Sequence, residues 1–204
     1  MIAIIDYGMG NIHSVQKALE YAGASTIVTN QPEDIVRAEK VVLPGVGAFD
    51  DAVLEMQRQG LVAVLKEHIA KNKPFLGICL GMQLLFERSQ EARKTKGFGI
   101  LEGDIRRFAS GAGIKVPHMG WNQLNFKKPD CPLLRGFSDR PYVYFCHSYY
   151  PCVADNELTA AATDYAGEFS SFVWKGNIYA AQFHPEKSQE VGLKILKNFV
   201  ELKN

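Results

Sequence analysis

The chain of 204 residues has a formal net charge of +1, with 47% apolar and 22% charged residues. This balance argues against a broad basic surface for nucleic acid, and no apolar run is long enough to cross a bilayer. The apolar start, MIAIIDYG, has no charged segment before it and no cleavage signal, so a secretory peptide is not expected. With four cysteines that lack zinc-site spacing, these features predict one domain, residues 1–204, in the cytoplasm.

The first half of the chain alternates short apolar runs with helical patterns. The apolar runs predict strands at 2–6, 25–30, 41–45 and 74–78. Helical spacing is present at 11–23, from about Asp50, in LVAVLKEHIA before Pro74, and again from Leu80. Strands that alternate with helices pair in parallel, so this half predicts an α/β fold with an open, twisted, mostly parallel sheet flanked by helices.

From Phe98 onward the pattern changes to short strands and turns, which predicts an added antiparallel section in the second half. The predicted strands are GDIRRF, YVYFCHS, LTAAAT, SSFVWKG and NIYAAQF. The last two form a predicted hairpin with Lys175-Gly176-Asn177 at its turn. A final helix is expected from about Gln189 to Leu202, and the polar stretch 88–97 is expected to be a surface loop.

A lone cysteine stands between two glycines in FLGICLGMQ, where the strand 74–78 meets the next helix. Such a turn would push the Cys79 side chain toward a substrate and aim the next backbone N–H at a developing oxyanion. Gly77 and Gly81 would allow the chain to turn sharply. A buried core cysteine in a glycine-bordered turn explains this stretch about equally well.

A cysteine nucleophile needs a base, and QFHPEKS supplies His184 at the end of an apolar strand. Pro185 stops the strand, and Glu186 projects to the same side as His184 in extended backbone. Glu186 could accept the other imidazole N–H and fix its tautomer, which would give a Cys79-His184-Glu186 triad. A histidine that only caps a strand end is the alternative interpretation.

Two glycine-containing loops each have two interpretations. DYGMGN (6–11) lacks the third glycine of a dinucleotide-binding loop, with His13 at that position, so a tight turn is favoured. PGVGAF (44–49) follows a predicted strand next to the expected Cys79 turn. It could supply a second backbone N–H to an oxyanion, or it could be only a turn.

Two aromatic and polar clusters lie in non-helical stretches, PHMGWN (117–122) and FCHSYY (145–150). Each could be a binding edge or an ordinary packed loop. His118 and His147 have no carboxylate or cysteine partner at metal-ligand spacing, so no metal site is expected.

FLGICLGMQ together with QFHPEKS resembles the class I, triad-type glutamine amidotransferases, which have a flavodoxin-like fold. The other four motifs, DYGMGN, PGVGAF, PHMGWN and FCHSYY, are similar to one branch, the glutaminase subunit of imidazole glycerol phosphate synthase in histidine biosynthesis. The resemblance covers nearly the whole chain. It implies that L-glutamine is hydrolysed without a cofactor and that the ammonia passes to a (β/α)8-barrel cyclase subunit acting on a phosphoribulosyl-formimino aminoimidazole carboxamide nucleotide.

The resemblance also implies catalytic roles. Cys79 would attack the carboxamide, and His184, oriented by Glu186, would give a proton to the departing ammonia and then activate water against the thioester. The backbone N–H groups of Leu80 and Gly47 would hold the oxyanion. In this family the PGVG segment is thought to switch, so an incompletely formed oxyanion hole is expected in the free subunit.

Binding roles follow from the same resemblance. The expected substrate contacts are Gln83, Ser148 and Tyr149. The residues expected to face the partner are Asn11, Trp121, Asn122, Tyr144 and Lys187. Ordinary surface or packing roles are the alternative for each of the latter.

Three other functions remain open from the sequence. The chain could serve a paralogous synthase that uses the same ammonia delivery. It could be an α/β cysteine hydrolase or peptidase acting alone, because Gly-x-Cys turns recur on such folds. It could also be a non-catalytic interaction domain, which the presence of Cys79, His184 and Glu186 disfavours.

Overall fold

The computed structural model describes residues 1–109, 111, 113–137 and 140–203. In these ranges the strands are β1 (Ile2–Ile5), β2 (Thr26–Thr29), β3 (Lys40–Gly45), β4 (Phe75–Cys79), β5 (Arg88–Ser89), β6 (Gly103–Arg107), β7 (His118–Gln123), β8 (Asn125–Phe126), β9 (Tyr142–His147), β10 (Tyr149–Val153), β11 (Thr159–Asp164), β12 (Glu168–Lys175) and β13 (Ile178–Ala181). The α-helices are α1 (Ile12–Tyr21), α2 (Pro32–Arg37), α3 (Phe49–Arg58), α4 (Leu61–Ala70), α5 (Leu80–Gln83) and α6 (Gln189–Val200). Short 3-10 helices cover Pro132–Leu134, Asn156–Leu158 and Pro185–Lys187.

The largest sheet has the strand order β2-β1-β3-β4-β13-β12-β11-β8. From β2 to β13 the neighbouring strands run parallel, and the remaining pairs are antiparallel. This confirms the predicted α/β sheet with an antiparallel section contributed by the second half of the chain. A smaller sheet has the order β10-β6-β5, and β7 pairs with β9 in a two-stranded ribbon.

Helices cover both faces of the large sheet. Successive side chains of a strand point to opposite faces, so alternate residues of a strand enter two different cores. In β1, Ile2 and Ile4 belong to a core with apolar residues of α1 and α6. Ala3 and Ile5 belong to a second core, with apolar residues of α2, α3 and α4. Burial on both sides explains why the parallel strands are continuous apolar runs in the sequence.

The last strand of the large sheet sets the position of the residues that follow it. The predicted hairpin of β12 and β13 is confirmed, with Gly176 and Asn177 between the paired Lys175 and Ile178. On its other side β13 pairs in parallel with β4, and Ala181 lies opposite Ile78. The segment after β13 therefore emerges at the same sheet edge as the segment after β4.

Differences from the predicted elements are local. The helix α2 was not predicted, although Pro32 at its first turn with Glu33 and Asp34 is a regular helix start. No strand was predicted for β5, β7, β8 or β10, because these strands are short or lack a long apolar run, and β5 lies in the stretch 88–97 that was expected to be a surface loop. The final helix ends at Val200, shortly before the predicted Leu202. In the ranges described above, no helix combines the length and apolarity needed to cross a membrane.

Candidate functional site

Cys79 ends β4 at a sharp turn into α5. Its backbone has φ 55° and ψ −110°, a conformation that is strained for a residue with a side chain and that costs on the order of 1–3 kcal/mol. A Cβ atom at Gly81 would lie 1.9 Å from the Leu43 carbonyl oxygen, so glycine is required where the turn packs against β3. Strain and close packing together hold the thiol in a fixed direction at the sheet edge.

His184 and Glu186 lie just beyond β13, beside this turn. The His184 Nδ1–H donates to Glu186 Oε1 at 2.9 Å. The backbone N–H of His184 donates to the Tyr144 carbonyl, and Ser188 Oγ donates to the His184 carbonyl. Both side chains of the pair are almost fully buried, at 4% and 1% exposure. The imidazole is therefore fixed in tautomer and direction from several sides.

The charge state of His184 is set by its two neighbours. Burial of the ring lowers the pKa of His184. The hydrogen bond to Cys79 and the charge of Cys79 raise it, and the hydrogen bond and charge of Glu186 raise it further. The result is a pKa of about 10. The raised pKa favours the protonated ring, an imidazolium, facing the sulfur. Such a ring can give a proton to a leaving group.

A cavity of about 340 Å³ lies over Cys79, which we call the Cys79 cavity. Its volume is at the small end of ligand pockets, as suits a small amino acid. The residues proposed from the sequence that line it are Gly47, Cys79, Leu80, Gln83, Ser148, Tyr149, His184 and Lys187. Glu186 is behind His184 rather than in the wall. The structure thus brings residues from both halves of the chain to one place.

The glycine loop, residues 44–47, forms one side of the Cys79 cavity. Gly45 lies opposite Cys79 in the β3–β4 register. Val46 and Gly47 line the cavity, and Gly47 has φ +98°, which favours glycine. A Cβ atom at Gly45 would be 2.6 Å from Tyr7 Oη and 2.9 Å from Leu80 Cβ. The loop is therefore packed tightly at Gly45 and carries permissive backbone at Gly47.

A chain of buried amides leads away from the sulfur. Gln182 Nε2 donates to Cys79 Sγ at 3.8 Å, and its Oε1 accepts from Gln83 Nε2 at 3.0 Å. Gln83 Nε2 also donates to the Tyr149 carbonyl at 3.0 Å. Both N–H groups of Gln83 are consequently used within the protein. Gln182, which is fully buried, was not proposed from the sequence.

Two buried histidines extend this network toward the surface. The Tyr149 carbonyl can only accept, so His147 Nδ1 donates to it at 2.8 Å. His147 Nε2 then accepts from His118 Nδ1 at 3.0 Å. His118 Nε2 in turn accepts from the Asn122 amide at 3.3 Å. Because the Tyr149 carbonyl can only accept, it determines which nitrogen of each histidine in this series donates and which accepts.

Both of these histidines are neutral at physiological pH. Burial lowers the pKa of His118 to about 4. Burial also lowers the pKa of His147, to about 3. The hydrogen bond to the Tyr149 carbonyl raises this pKa, and the charges of His118 and His184 lower it. The ring of His118 is stacked between Tyr165 and Phe145, with centroids 3.9 and 4.7 Å away.

We expect the stability of the protein to fall as the pH is lowered below about 6.5. The unfolded chain binds protons on His118 and His147 from about pH 6.5 downward, whereas the folded chain resists until the depressed values are reached. The free energy of unfolding should drop by up to about 1.4 kcal/mol per pH unit for each histidine. Urea unfolding between pH 7.5 and 5 measures this slope.

The variant His118→Phe keeps the aromatic stack and removes one of these titrations, so its slope should be smaller by about one proton. Replacing the exposed His13 by Gln is the control and should leave the slope unchanged. Equal slopes in the wild type and His118→Phe would contradict the expectation.

Glu91 is a cavity residue that the sequence did not indicate. It lies in the stretch 88–97, predicted as a surface loop, yet it lines the Cys79 cavity and accepts from the Phe49 N–H at 3.2 Å. Burial raises the pKa of Glu91. The hydrogen bond from the Phe49 N–H lowers this pKa, and the charges of Asp50 and Asp51 raise it. A half-buried carboxylate at this wall is suited to a cationic group of a ligand.

The loop that carries Glu91 is tied to the start of α3. The Asp50 carboxylate accepts from the backbone N–H groups of Arg93, Lys94 and Thr95 and from the Thr95 hydroxyl. No local pattern in the sequence reveals a contact of this kind, because it joins segments more than forty residues apart.

Three of the residues proposed to face a partner form one surface cluster. Trp121 and Tyr144 pack edge to face at 6.1 Å, and Lys187 Nζ lies 5.9 Å from the centre of the Tyr144 ring. Trp121 is 46% exposed, and Lys187 also lines the Cys79 cavity. This surface cluster is therefore adjacent to the cavity.

The other two proposed partner residues are not part of this cluster. The Asn122 amide donates to His118 and to the Asp164 carbonyl, so its hydrogens are used internally. Asn11 precedes α1, in the turn whose Met9 lies close to Gly47. In the part of the chain that the structure describes, no group of three or more His, Cys, Asp or Glu residues could hold a metal ion.

Comparison of sequences matches the family described as glutamine amidotransferase class-I to residues 3–202. A protein of Bacillus cereus (strain G9842), described as imidazole glycerol phosphate synthase subunit HisH, is 53% identical over 199 residues, which are 98% of this chain and 93% of the relative. A protein with the same description from Caldanaerobacter subterraneus subsp. tengcongensis is 50% identical over 202 residues, which are 99% of this chain and 98% of the relative.

Solved structures are similar in fold at lower identity. The structure of PurLQS from Thermotoga maritima aligns with a TM-score of 0.76 and 20% identity, covering 97% of this chain and 96% of that chain. A crystal structure described as glutamine amidotransferase has a TM-score of 0.76 and 15% identity, covering 98% of this chain and 99% of that chain. At these identities the likeness concerns the fold.

Proposed function

Because this chain belongs to the glutamine amidotransferase class-I family, we propose that it is the glutaminase subunit of an imidazole glycerol phosphate synthase. In this role it hydrolyses L-glutamine to glutamate and ammonia, and the ammonia passes to a cyclase subunit in histidine biosynthesis. The observation that carries the chemistry is the strained Cys79 turn facing the buried His184–Glu186 pair across a small cavity. Near full-length similarity to relatives of that description supports the choice of synthase.

The reaction divides into two steps at Cys79. In the first, Sγ bonds to the carboxamide carbon of glutamine, and His184 gives its proton to the nitrogen that leaves as ammonia. In the second, His184 takes a proton from water, the hydroxide adds to the thioester carbon, and the C–S bond breaks to release glutamate. Glu186 accepts from Nδ1 throughout and stabilises the imidazolium.

Both steps place negative charge on the carbonyl oxygen of the substrate. Leu80 is the first residue of α5, so its N–H has no acceptor within that helix, and we propose it as one donor to this oxygen. The N–H of Gly47 is proposed as the second donor, from the opposite side of the cavity. Removing one such donor typically costs about 10²–10³ in kcat.

The amino-acid end of glutamine would bind at the far wall of the cavity. Since both N–H groups of Gln83 are used, its Oε1 remains as an acceptor for the substrate ammonium. Glu91 supplies the charged partner for the same group. Ser148 and Tyr149 are proposed to contact the substrate carboxylate, partly through backbone.

We expect the substitution Glu91→Gln to raise the KM for glutamine by about 10- to 100-fold with little change in kcat. One charge-assisted hydrogen bond, worth about 1.5–3 kcal/mol, would be lost equally in the bound substrate and the transition state. The glutamine side chain can still accept from Phe49, so the loop should stay in place. Steady-state kinetics measure the change, with Glu87→Gln, at an exposed position just before the same segment, as the control. An unchanged KM would remove Glu91 from the site.

The proposed partner is a (β/α)8-barrel cyclase that binds over the Trp121, Tyr144 and Lys187 cluster. This cluster adjoins the Cys79 cavity, so docking there would cover its opening and keep ammonia from water. Asn11 and Asn122 are proposed to lie at the same interface. We further propose that residues 1–204 act as one domain and that the complex is cytoplasmic.

The direct test is glutamate release from glutamine, with and without the cyclase and its phosphoribulosyl-formimino aminoimidazole carboxamide nucleotide. The proposal expects slow release by the chain alone and much faster release in the complex. Stimulation by the partner of another ammonia-using synthase, with none by the cyclase, would assign the chain to a paralogous enzyme. Efficient peptide cleavage by the chain alone would refute the proposal.

A further inference from the structure

Tyr7 carries a buried hydroxyl that no proposed catalytic step uses. The residue is 1% exposed and lies two residues after the end of β1. Among the described residues, its Oη has no hydrogen-bond partner. An unpaired buried hydroxyl costs about 1–3 kcal/mol, so such a group in a well-packed protein calls for a functional explanation.

The orphan hydroxyl lies against the glycine loop. A Cβ atom at Gly45 would be 2.6 Å from Tyr7 Oη, so the oxygen touches the backbone of that residue. Burial and then the charge of Cys79 raise the pKa of Tyr7, which keeps the phenol protonated and able to donate. The candidate acceptors are the carbonyls of the loop, because Gly45 lies against Tyr7 Oη and Gly47, with φ +98°, has the backbone freedom of glycine.

We propose, resting on the glutaminase function above, that Tyr7 is a positioning residue for the oxyanion hole, whose hydroxyl binds a Gly45–Gly47 loop carbonyl when the loop's N–H faces Cys79. The carbonyl and the N–H of a peptide unit point in opposite directions. Turning an N–H toward the cavity therefore turns the attached carbonyl inward, where it would be unpaired without a donor. Tyr7 supplies that donor.

This arrangement predicts opposite effects on stability and on catalysis. In the conformation described, the hydroxyl is unpaired, so removing it should not destabilise the subunit. In the active conformation the hydroxyl makes a hydrogen bond, so removing it should disfavour that state. The loss affects the transition state more than bound glutamine, because the oxyanion exists only during reaction.

The test is the variant Tyr7→Phe in complex with the cyclase and its nucleotide, together with thermal unfolding of the subunit alone. We expect kcat for glutamine hydrolysis to fall about 5- to 30-fold, the effect of one hydrogen bond of about 1–2 kcal/mol. The KM for glutamine and the alkylation rate of Cys79 by iodoacetamide should stay unchanged, and the Tm should be equal or higher. Tyr179→Phe, at a buried tyrosine of β13 outside the Cys79 cavity, is the matched control.

The outcomes separate this inference from the proposed function. Wild-type kcat in Tyr7→Phe would overturn the role of Tyr7 while leaving the glutaminase function intact. A lower Tm accompanied by lower kcat would show an ordinary structural role and overturn it as well. Absence of glutamine hydrolysis in the wild-type complex would refute the proposed function and with it the role of Tyr7.

Discussion

Replacing Cys79 by alanine will lower glutamine hydrolysis by the complex by at least about 10⁴-fold, the scale seen when a triad nucleophile is removed. The remaining donors can still bind the substrate and polarise its carbonyl, but no thioester can form. Alanine keeps the Cβ atom, so the steric cost of φ 55° at position 79 is the same in the variant as in the wild type. The folded structure should therefore be retained.

The control for this experiment is the reaction of the partner with ammonia supplied in solution. Cyclisation driven by ammonium salt should be the same with the wild type and with Cys79→Ala, because only the source of ammonia is lost. Cys152→Ala, at a half-buried thiol outside the Cys79 cavity, should leave glutamine hydrolysis unchanged. Residual glutamine hydrolysis within tenfold of the wild type would exclude Cys79 as the nucleophile.

Replacing Gly192 by alanine will destabilise the protein by about 3 kcal/mol or more, although alanine in a helix interior is ordinarily favoured over glycine by about 1 kcal/mol. Gly192 lies in α6, where a Cβ atom would be 1.8 Å from the Pro185 carbonyl oxygen and 2.6 Å from the Pro185 carbonyl carbon. Both are backbone atoms, so relief requires α6 to move away from the 3-10 helix at Pro185–Lys187. That turn carries Glu186 and adjoins His184.

The same substitution should also lower kcat, because displacing the base by about 1 Å can cost about 10²-fold. Urea unfolding and glutaminase assays of the complex measure the two effects. Gly111→Ala is a matched control, because open space surrounds that glycine and its φ is not in the left-handed region. A Gly192→Ala variant more stable than the wild type would contradict this expectation.

Most of the fold could be predicted from the sequence, but the strand pairing that brings the site residues together could not. Apolar runs and helical spacing are local signals, and they sufficed for the parallel strands of the first half and for the hairpin of β12 and β13. They could not show that β13 inserts beside β4, because strand pairing depends on contacts between segments about a hundred residues apart. That insertion places His184 beside Cys79.

The candidate site was predictable where short motifs carry the chemistry. Cys79 and the His184–Glu186 pair follow from residue types at fixed local spacing. Glu91 could not be predicted, because its position depends on Asp50 accepting hydrogen bonds from a polar loop. Gln182 and Tyr7 were also not predicted. Gln182 directly follows an apolar strand, and Tyr7 lies near a turn, so the local sequence indicates only packing roles for them.

The series of hydrogen bonds from Gln83 through Tyr149, His147 and His118 to Asn122 limits the substitutions that this protein can accept during evolution. Each of the two imidazoles donates toward the Tyr149 carbonyl and accepts from the next group outward, so replacing either histidine leaves the other with a buried, unsatisfied nitrogen. Acceptable substitutions should therefore occur in pairs, with His118 and His147 exchanging together. Double-mutant cycles across this pair should show strong coupling, whereas His118 and the distant Lys40 should behave independently.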